Sequence, residues 1–272
     1  MSSEKARIHV GTQGWNYDAW VGPFYPPYTR PVDFLSMYSR AFSTVEVDST
    51  FYGVPAATTF QSWIDRTPDD FVFSLKLPQE ITHEQRLRDS LGISEQFYER
   101  ARQLGAKLGP ILVQLAPDFD PSELPALVDF AGKAPKDLRF TIEFRHRGWM
   151  TEGVVALLRD RNIGLTLVDG RWIPRRIMLS LAKRPTADFV YIRWMGPNRD
   201  LVDYSRVQVD RTREIDAWIE AIEEIRGRVS DVYGYVANHF TGHSPATARE
   251  IQQRLGLEPV DPDKLGDQLT LF

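Results

Sequence analysis

The chain contains no cysteine. That absence excludes disulfides, thiolate metal sites and a cysteine nucleophile. No apolar run is long enough to span a bilayer, so no membrane segment is expected. No Gly-x-Gly-x-x-Gly or Gly-Lys-Ser/Thr pattern occurs, which argues against a dinucleotide-binding fold and a P-loop. No Gly-x-Ser-x-Gly elbow occurs either, which argues against that kind of serine hydrolase. Histidine is scarce, at five residues, and a zinc centre is weakly indicated. Residues 1–7 lead straight into a strand pattern with no secretory leader, so a cytoplasmic location is expected. The net charge of −4 argues against a globally basic nucleic-acid coat, though a local basic cleft remains compatible with it.

What is present is an ordinary soluble composition, 42% hydrophobic and 26% charged over 272 residues, enough to bury a large core. β-rich runs fall at 7–12, 44–48, 71–77, 109–115, 139–145, 164–169, 188–195 and 231–238. Helical spacing of apolar residues falls between most of them, at 33–41, 58–66, 94–104, 123–132, 152–161, 212–226 and 245–255. Ser94 reads as a helix N-cap, and Ser244-Pro245 as an N-cap with a first-turn proline. Eight strand–helix units in about 255 residues are the arithmetic of a single (β/α)8 TIM-like barrel. A doubly wound open sheet is the alternative. The barrel is expected over 1–257, with 258–272 as a flexible tail.

In such a barrel the C-terminal ends of the strands form the functional face. Here they carry polar groups: Glu46 and Asp48, Lys76, Gln114, Glu143 and Arg145, Asp169, Arg193, and Asn238. Such groups are expensive in an apolar core without partners. Two readings fit the ring. It is a site, or it is a salt-bridge layer satisfied within itself and plugging the mouth. The following loops are aromatic, with Trp15, Tyr17, Tyr52, Trp149, Trp172 and Trp194 as candidate walls of a pocket or as a packed roof.

Residues 11–20, Gly-Thr-Gln-Gly-Trp-Asn-Tyr-Asp-Ala-Trp, resemble the opening motif of the YecE-like family, catalogued as domain of unknown function 72. Residues 44–52, Thr-Val-Glu-Val-Asp-Ser-Thr-Phe-Tyr, are similar to its second motif. Phe73-Ser74-Leu75-Lys76 with Ile81-Thr82-His83, residues 108–115, and Glu143-Phe144-Arg145-His146 with Trp149 follow in order. The resemblance runs from residue 8 to about 255 and implies a TIM-like barrel without a settled activity. One position departs: Met195 stands where the family often has the histidine of an Arg-x-His-Gly stretch.

For chemistry, Lys76, Arg145 and Arg193 suit a phosphate or carboxylate. Gln114 and Asn238 can add hydrogen bonds. His239, Gly242 and Ser244 lie around a turn before the last helix, where barrels commonly hold phosphate. The loop 171–176, Arg-Trp-Ile-Pro-Arg-Arg, adds a basic aromatic edge. Glu46, Asp48, Glu143 and Asp169 are candidate general acids and bases, or oxygen ligands for magnesium or manganese, with Glu46, Glu143 and Asp169 the leading ones for proton transfer. The expected function is an enzyme acting on an anionic, phosphate-bearing substrate, nucleic acid included. A sugar or sugar-phosphate hydrolase or isomerase is a second reading, and a non-enzymatic nucleic-acid-binding module a third. The last five residues, Gln268-Leu269-Thr270-Leu271-Phe272, resemble the peptide by which bacterial repair and replication proteins dock on the polymerase sliding clamp. Leu269, Leu271 and Phe272 would enter an apolar groove, with Gln268 hydrogen-bonding at its rim. Packing of the tail on its own domain is the alternative.

Overall fold

The structure is a computed structural model that describes residues 5–88, 90–197 and 200–266. The strands are β1 (Arg7–Gln13), β2 (Thr44–Val47), β3 (Val72–Leu75), β4 (Ile111–Gln114), β5 (Phe140–Glu143), β6 (Gly164–Gly170), β7 (Phe189–Gly196) and β8 (Asp231–Val236). All pair in parallel, in the order β3-β2-β1-β8-β7-β6-β5-β4. The first and last strands of the chain therefore meet, as a barrel requires. Between β3 and β4 the circle is joined more thinly, by Gly109 N–H to Phe73 O at 2.8 Å and Leu77 N–H to Leu112 O at 2.9 Å. Gly109 permits that approach, because a Cβ there would lie 2.7 Å from Val72 Cγ1.

The helices are α1 (Phe34–Ala41), α2 (Ala57–Asp65), α3 (Leu91–Arg102), α4 (Leu124–Lys133), α5 (Glu152–Arg159), α6 (Arg175–Ala182), α7 (Thr212–Ile225), α8 (Asn238–Thr241) and α9 (Ser244–Arg254). All but the four-residue α8, which lies at the cleft, lay an apolar face on the outside of the sheet. In α7 that face is Ile215, Trp218, Ile222 and Ile225, spaced three and four apart. Two helix starts differ from expectation. Helix α3 begins a turn earlier, with Ser90 preceding it and Ser94 accepted into its first turn by N–H donation to Ser90 O. In α9, Ser244 is the first helical residue and His243 precedes it. Helix α6 was not anticipated at all. Its short run has basic Arg175 and Arg176 at the start and buries Met178, Leu181 and Ala182.

The main apolar core lies between sheet and helices. The interior of the barrel is different. Its small apolar cluster of Leu112, Phe189, Tyr191, Tyr233 and Tyr235 is laced with hydroxyls. Thr44 meets Tyr235 OH at 2.8 Å, Ser74 meets Tyr191 OH at 2.7 Å, and Thr141 meets Thr166 at 2.8 Å. These pairs satisfy groups that burial would otherwise penalise. The aromatic loop after β1 is a packed roof: Trp20, Phe24 and Tyr25 are fully buried, and Tyr25 stacks on Phe34 with ring centroids 4.5 Å apart. Residues 258–266, read as the start of a tether, run along α1 in the structure. Leu265 is 2% exposed and its carbonyl accepts from Arg40 Nη1 at 3.3 Å.

Candidate functional site

The polar ring resolves into two storeys. The lower one is closed. Arg193, from β7, crosses the barrel to Glu46 on β2, donating from Nε at 2.9 Å and from Nη2 at 2.7 Å. Its Nη1 donates to Glu143 of β5. Tyr191 OH donates to Glu46 at 2.7 Å, and Gln114 Nε2 to Glu143 at 2.9 Å. Alternation along β2, β5 and β7 puts these side chains inward. Burial would raise the Glu143 carboxyl, but the Arg193 and Arg145 guanidiniums outweigh it and hold the group at about 2. Burial would lower Arg193, but Glu46 and Glu143 raise it further above its ordinary value. Both ends of the network are locked ionised.

The upper storey is an open cleft of ≈ 250 Å³ at the C-terminal ends of the strands. Its walls include Gln13, Tyr17, Asp48, Tyr52, Glu143 and Arg145, then Arg171, Trp172, Met195, Tyr204, Asn238 and His239. Arg145 is the bridge between storeys. Its Nε donates to Glu143 at 3.1 Å, while its two terminal nitrogens hold no hydrogen bond among the described residues. Its guanidinium lies 6.0 Å from the ring of Trp172, whose other neighbour is Arg171 at 4.3 Å. Lys76 sits beside the cleft, 5% exposed, bound to Asp48 at 3.1 Å and lying 3.6 Å over Phe51. Burial lowers its ammonium from the ordinary value, with Asp48 opposing. His83 meets the edge of Phe51 at 5.1 Å, and burial followed by Arg145 and Lys76 pulls it down to about 4. Burial and then Asp48 raise the Tyr17 phenol, which stays protonated and donates to Gln13 O at 3.1 Å.

Above β8, Asn238 Oδ1 accepts from Trp20 Nε1 at 3.2 Å, from Ser244 N–H at 3.0 Å and from Ser244 Oγ at 2.8 Å. Its Nδ2 is buried and has no hydrogen-bond partner among the described residues. An unmet buried donor costs about 1–3 kcal/mol.

Several expected site residues lie elsewhere. Asp169 does not reach the mouth. Its Oδ2 accepts from Trp218 Nε1 at 2.8 Å and from Arg175 Nε at 2.6 Å, so it faces α6 and α7 outside the barrel, and Val168 lines the cleft instead. Trp194 follows Arg193 and therefore points outward, edge-on to Trp218 at 6.4 Å. Trp149 is buried between Phe119 and Phe144, with its indole donating to Phe119 O at 2.7 Å. Trp15 packs edge-on against Trp63 at 5.9 Å, behind the cleft. Tyr17, Tyr52 and Trp172 do line it. Arg193, Glu46, Lys76 and Gln114 support the floor or flank and are absent from the walls.

The turn before α9 is not an open cradle. Gln208 N–H donates to Thr241 O at 2.7 Å, a Cβ at Gly242 would meet Arg206 O at 2.6 Å, and His243 Nδ1 pairs with Tyr204 O at 2.7 Å. Ser244 is fully buried against Asn238. His239 and His243 stand four residues apart, a spacing that suits paired ligands within a helix. Gly242, at φ +111, ends α8 between them, and only His239 reaches the cleft. The magnesium or manganese expectation meets the same difficulty. Glu46 and Glu143 bind Arg193 and Asp169 faces away, and no three His, Asp or Glu converge as a metal site among the described residues. Sequence reasoning passed over Tyr204, whose long β7–α7 loop carries no motif, and gave Met195 no role.

The molecule is thus a single-barrel α/β protein with an ion-paired floor and an anion-compatible cleft above it. Residues 9–268 match the family described as Protein of unknown function DUF72, and the chain belongs to it. It is 29% identical over 169 residues to UPF0759 protein YecE of Escherichia coli, and the match covers 60% of each chain. It is 23% identical over 279 residues to UPF0759 protein YunF of Bacillus subtilis, covering 92% of this chain and 95% of that protein. A DUF72 family protein of Thermotoga maritima superposes with a TM-score of 0.76 at 26% identity, covering 92% of this chain and 99% of that one. A DUF72 family protein of Enterococcus faecalis shares the fold, with a TM-score of 0.73 at 21% identity over 94% of this chain and 100% of that one.

Proposed function

We propose that the protein is an enzyme acting on an anionic, phosphate-bearing substrate held in the cleft. The observation that carries this reading is Arg145, held by Glu143 through Nε, with its terminal nitrogens beside the cleft holding no hydrogen bond among the described residues. A guanidinium fixed at one edge and open at the other suits a phosphate. The charge pattern agrees. Glu46, Glu143 and Asp48 balance Arg193, Arg145 and Lys76, while Arg171 has no ion pair among the described residues. Arg171 is then the surplus cation for an incoming anion.

Glu143 is a positioning residue in this reading, because a carboxylate held at about 2 cannot donate a proton near neutrality. Proton work falls to Asp48, paired with a Lys76 whose ammonium burial has weakened. Tyr52 and Trp172 supply an exposed aromatic rim for a base or sugar. A cleft of ≈ 250 Å³ admits one nucleotide or sugar phosphate. That size favours a free nucleotide or a strand end over a duplex, and it also supports a sugar-phosphate hydrolase or isomerase.

Titration calorimetry with inorganic phosphate and a panel of nucleoside and sugar phosphates tests the reading. Arg145→Ala is expected to weaken binding about 10- to 100-fold, the worth of a charge-assisted pair. Unchanged affinity would sink it. Binding without turnover under any metal would leave a binding module. The companion proposal is recruitment to a bacterial sliding clamp through Gln268, Leu269, Leu271 and Phe272, which lie outside the described residues. Its support is the sequence likeness alone.

A further inference from the structure

We infer that Asn238 is the specificity-determining donor of the cleft, reading an oxo group on a flat, nucleobase-like ring of the ligand whose phosphate lies at Arg145. This rests on the anion reading above and names the ligand more narrowly.

The amide cannot be reversed. Trp20 Nε1 and Ser244 N–H can only donate, and both point at the same end of Asn238, at 3.2 and 3.0 Å. That end must be the oxygen, which leaves the –NH2 end as a fixed donor. Asn238 is 4% exposed, it lines the cleft, and its Nδ2 has no partner among the described residues. Nδ2 itself is closed to water, so a ligand oxygen with free lone pairs would complete it on a small shift of the wall, whereas an amino group at the same place would set donor against donor.

The surrounding wall selects shape. Tyr17 and Tyr204 meet at right angles, with centroids 5.9 Å apart. The Tyr17 hydroxyl is already committed to Gln13 O. The wall therefore offers ring surface and the oriented amide donor of Asn238, with His239 beside it holding Tyr204 OH at 3.3 Å. The cations Arg145 and Arg171 stand after β5 and β6, whereas Asn238 stands after β8. A ligand spanning the cleft meets positive charge at one side and a neutral donor at the other, which is the polarity of an oxo-base nucleotide.

The test is calorimetric binding of two probe pairs, uridine against cytidine monophosphate and inosine against adenosine monophosphate. The oxo member of each pair is expected to bind about tenfold tighter. Asn238→Asp keeps the oxygen that holds Trp20 and Ser244 but turns the donor into an acceptor. It should abolish or reverse the preference, and because it buries a carboxylate its unfolding midpoint is measured alongside. Equal wild-type affinities within each pair would overturn the inference, as would a preference that survives Asn238→Asp. The wild-type ratio decides the matter even if the variant fails to fold. Arg145-dependent binding of inorganic phosphate without nucleotide binding overturns this inference and leaves the anion reading standing. Binding of neither overturns both.

Discussion

Arg193 and Glu46 face each other across the barrel from β7 and β2, and two guanidinium nitrogens reach the carboxylate at 2.9 and 2.7 Å with both residues 0% exposed. Such a pair is weak evidence of stability, because desolvation of two charges offsets much of their attraction. Leaving one partner alone is another matter. Arg193→Met should destabilise the fold by roughly 3–5 kcal/mol, since Glu46 and Glu143 lose their shared cation. Adding Glu46→Gln to that variant should recover part of the loss. Urea unfolding of the single and double variants measures both, and a neutral single substitution would contradict the buried geometry.

Asp169 separates structure from site. Its carboxylate joins Trp218 of α7 to Arg175 of α6. Asp169→Ala leaves a buried indole N–H unmet, and a loss of about 1–3 kcal/mol is expected. Phosphate affinity at the cleft should stay within twofold of wild type. A large loss of affinity at unchanged stability would return Asp169 to the site.

Acid should reach the floor of the barrel late. Glu143 is ordinarily protonated near 4.5, and the folded protein holds it at about 2. A depressed carboxyl contributes stability that is complete above the unfolded value and lost as pH falls toward the folded one. The expected window is therefore about pH 4.5 down to about 2. Glu143→Gln should flatten the dependence of the urea midpoint on pH in that window. An equally steep dependence in the variant would assign the acid sensitivity to other groups.

The C-terminal peptide has its own test. Binding of the intact chain to a bacterial sliding clamp should disappear on truncation after Asp267. Equal binding by both forms, or by neither at high micromolar clamp, would dismiss the docking role.

The barrel was legible because strand and helix patterns alternate, and Glu46, Glu143 and Arg145 were legible because β2 and β5 alternate cleanly. The same parity, followed through β6, puts Thr166 and Val168 inside and Asp169 outside. A polar residue at a strand's end was read by its position rather than its face. Trp194 erred in the same way, sitting next to inward Arg193. Helix α6 was hidden because Pro174 and two arginines at its start look like loop. Neither reading of the ring was complete, since distances across the barrel decide which charges pair. The floor is self-satisfied, and above it Asn238 Nδ2 and the terminal nitrogens of Arg145 hold no hydrogen bond among the described residues.

The thin seam between β3 and β4 has a bearing on the cleft. The ends of the chain are zipped along β1 and β8 in six registered pairs, so the barrel's clasp lies mid-chain. Lys76 sits on that clasp, opposite Leu112, with Thr50 Oγ1 gripping its backbone N–H at 3.0 Å and its carbonyl at 2.7 Å. The most thinly paired seam of the barrel therefore lies beside the Lys76–Asp48 pair. A ligand held in the cleft beside that pair is expected to slow amide exchange at Gly109 and Leu77, the two backbone donors of the seam.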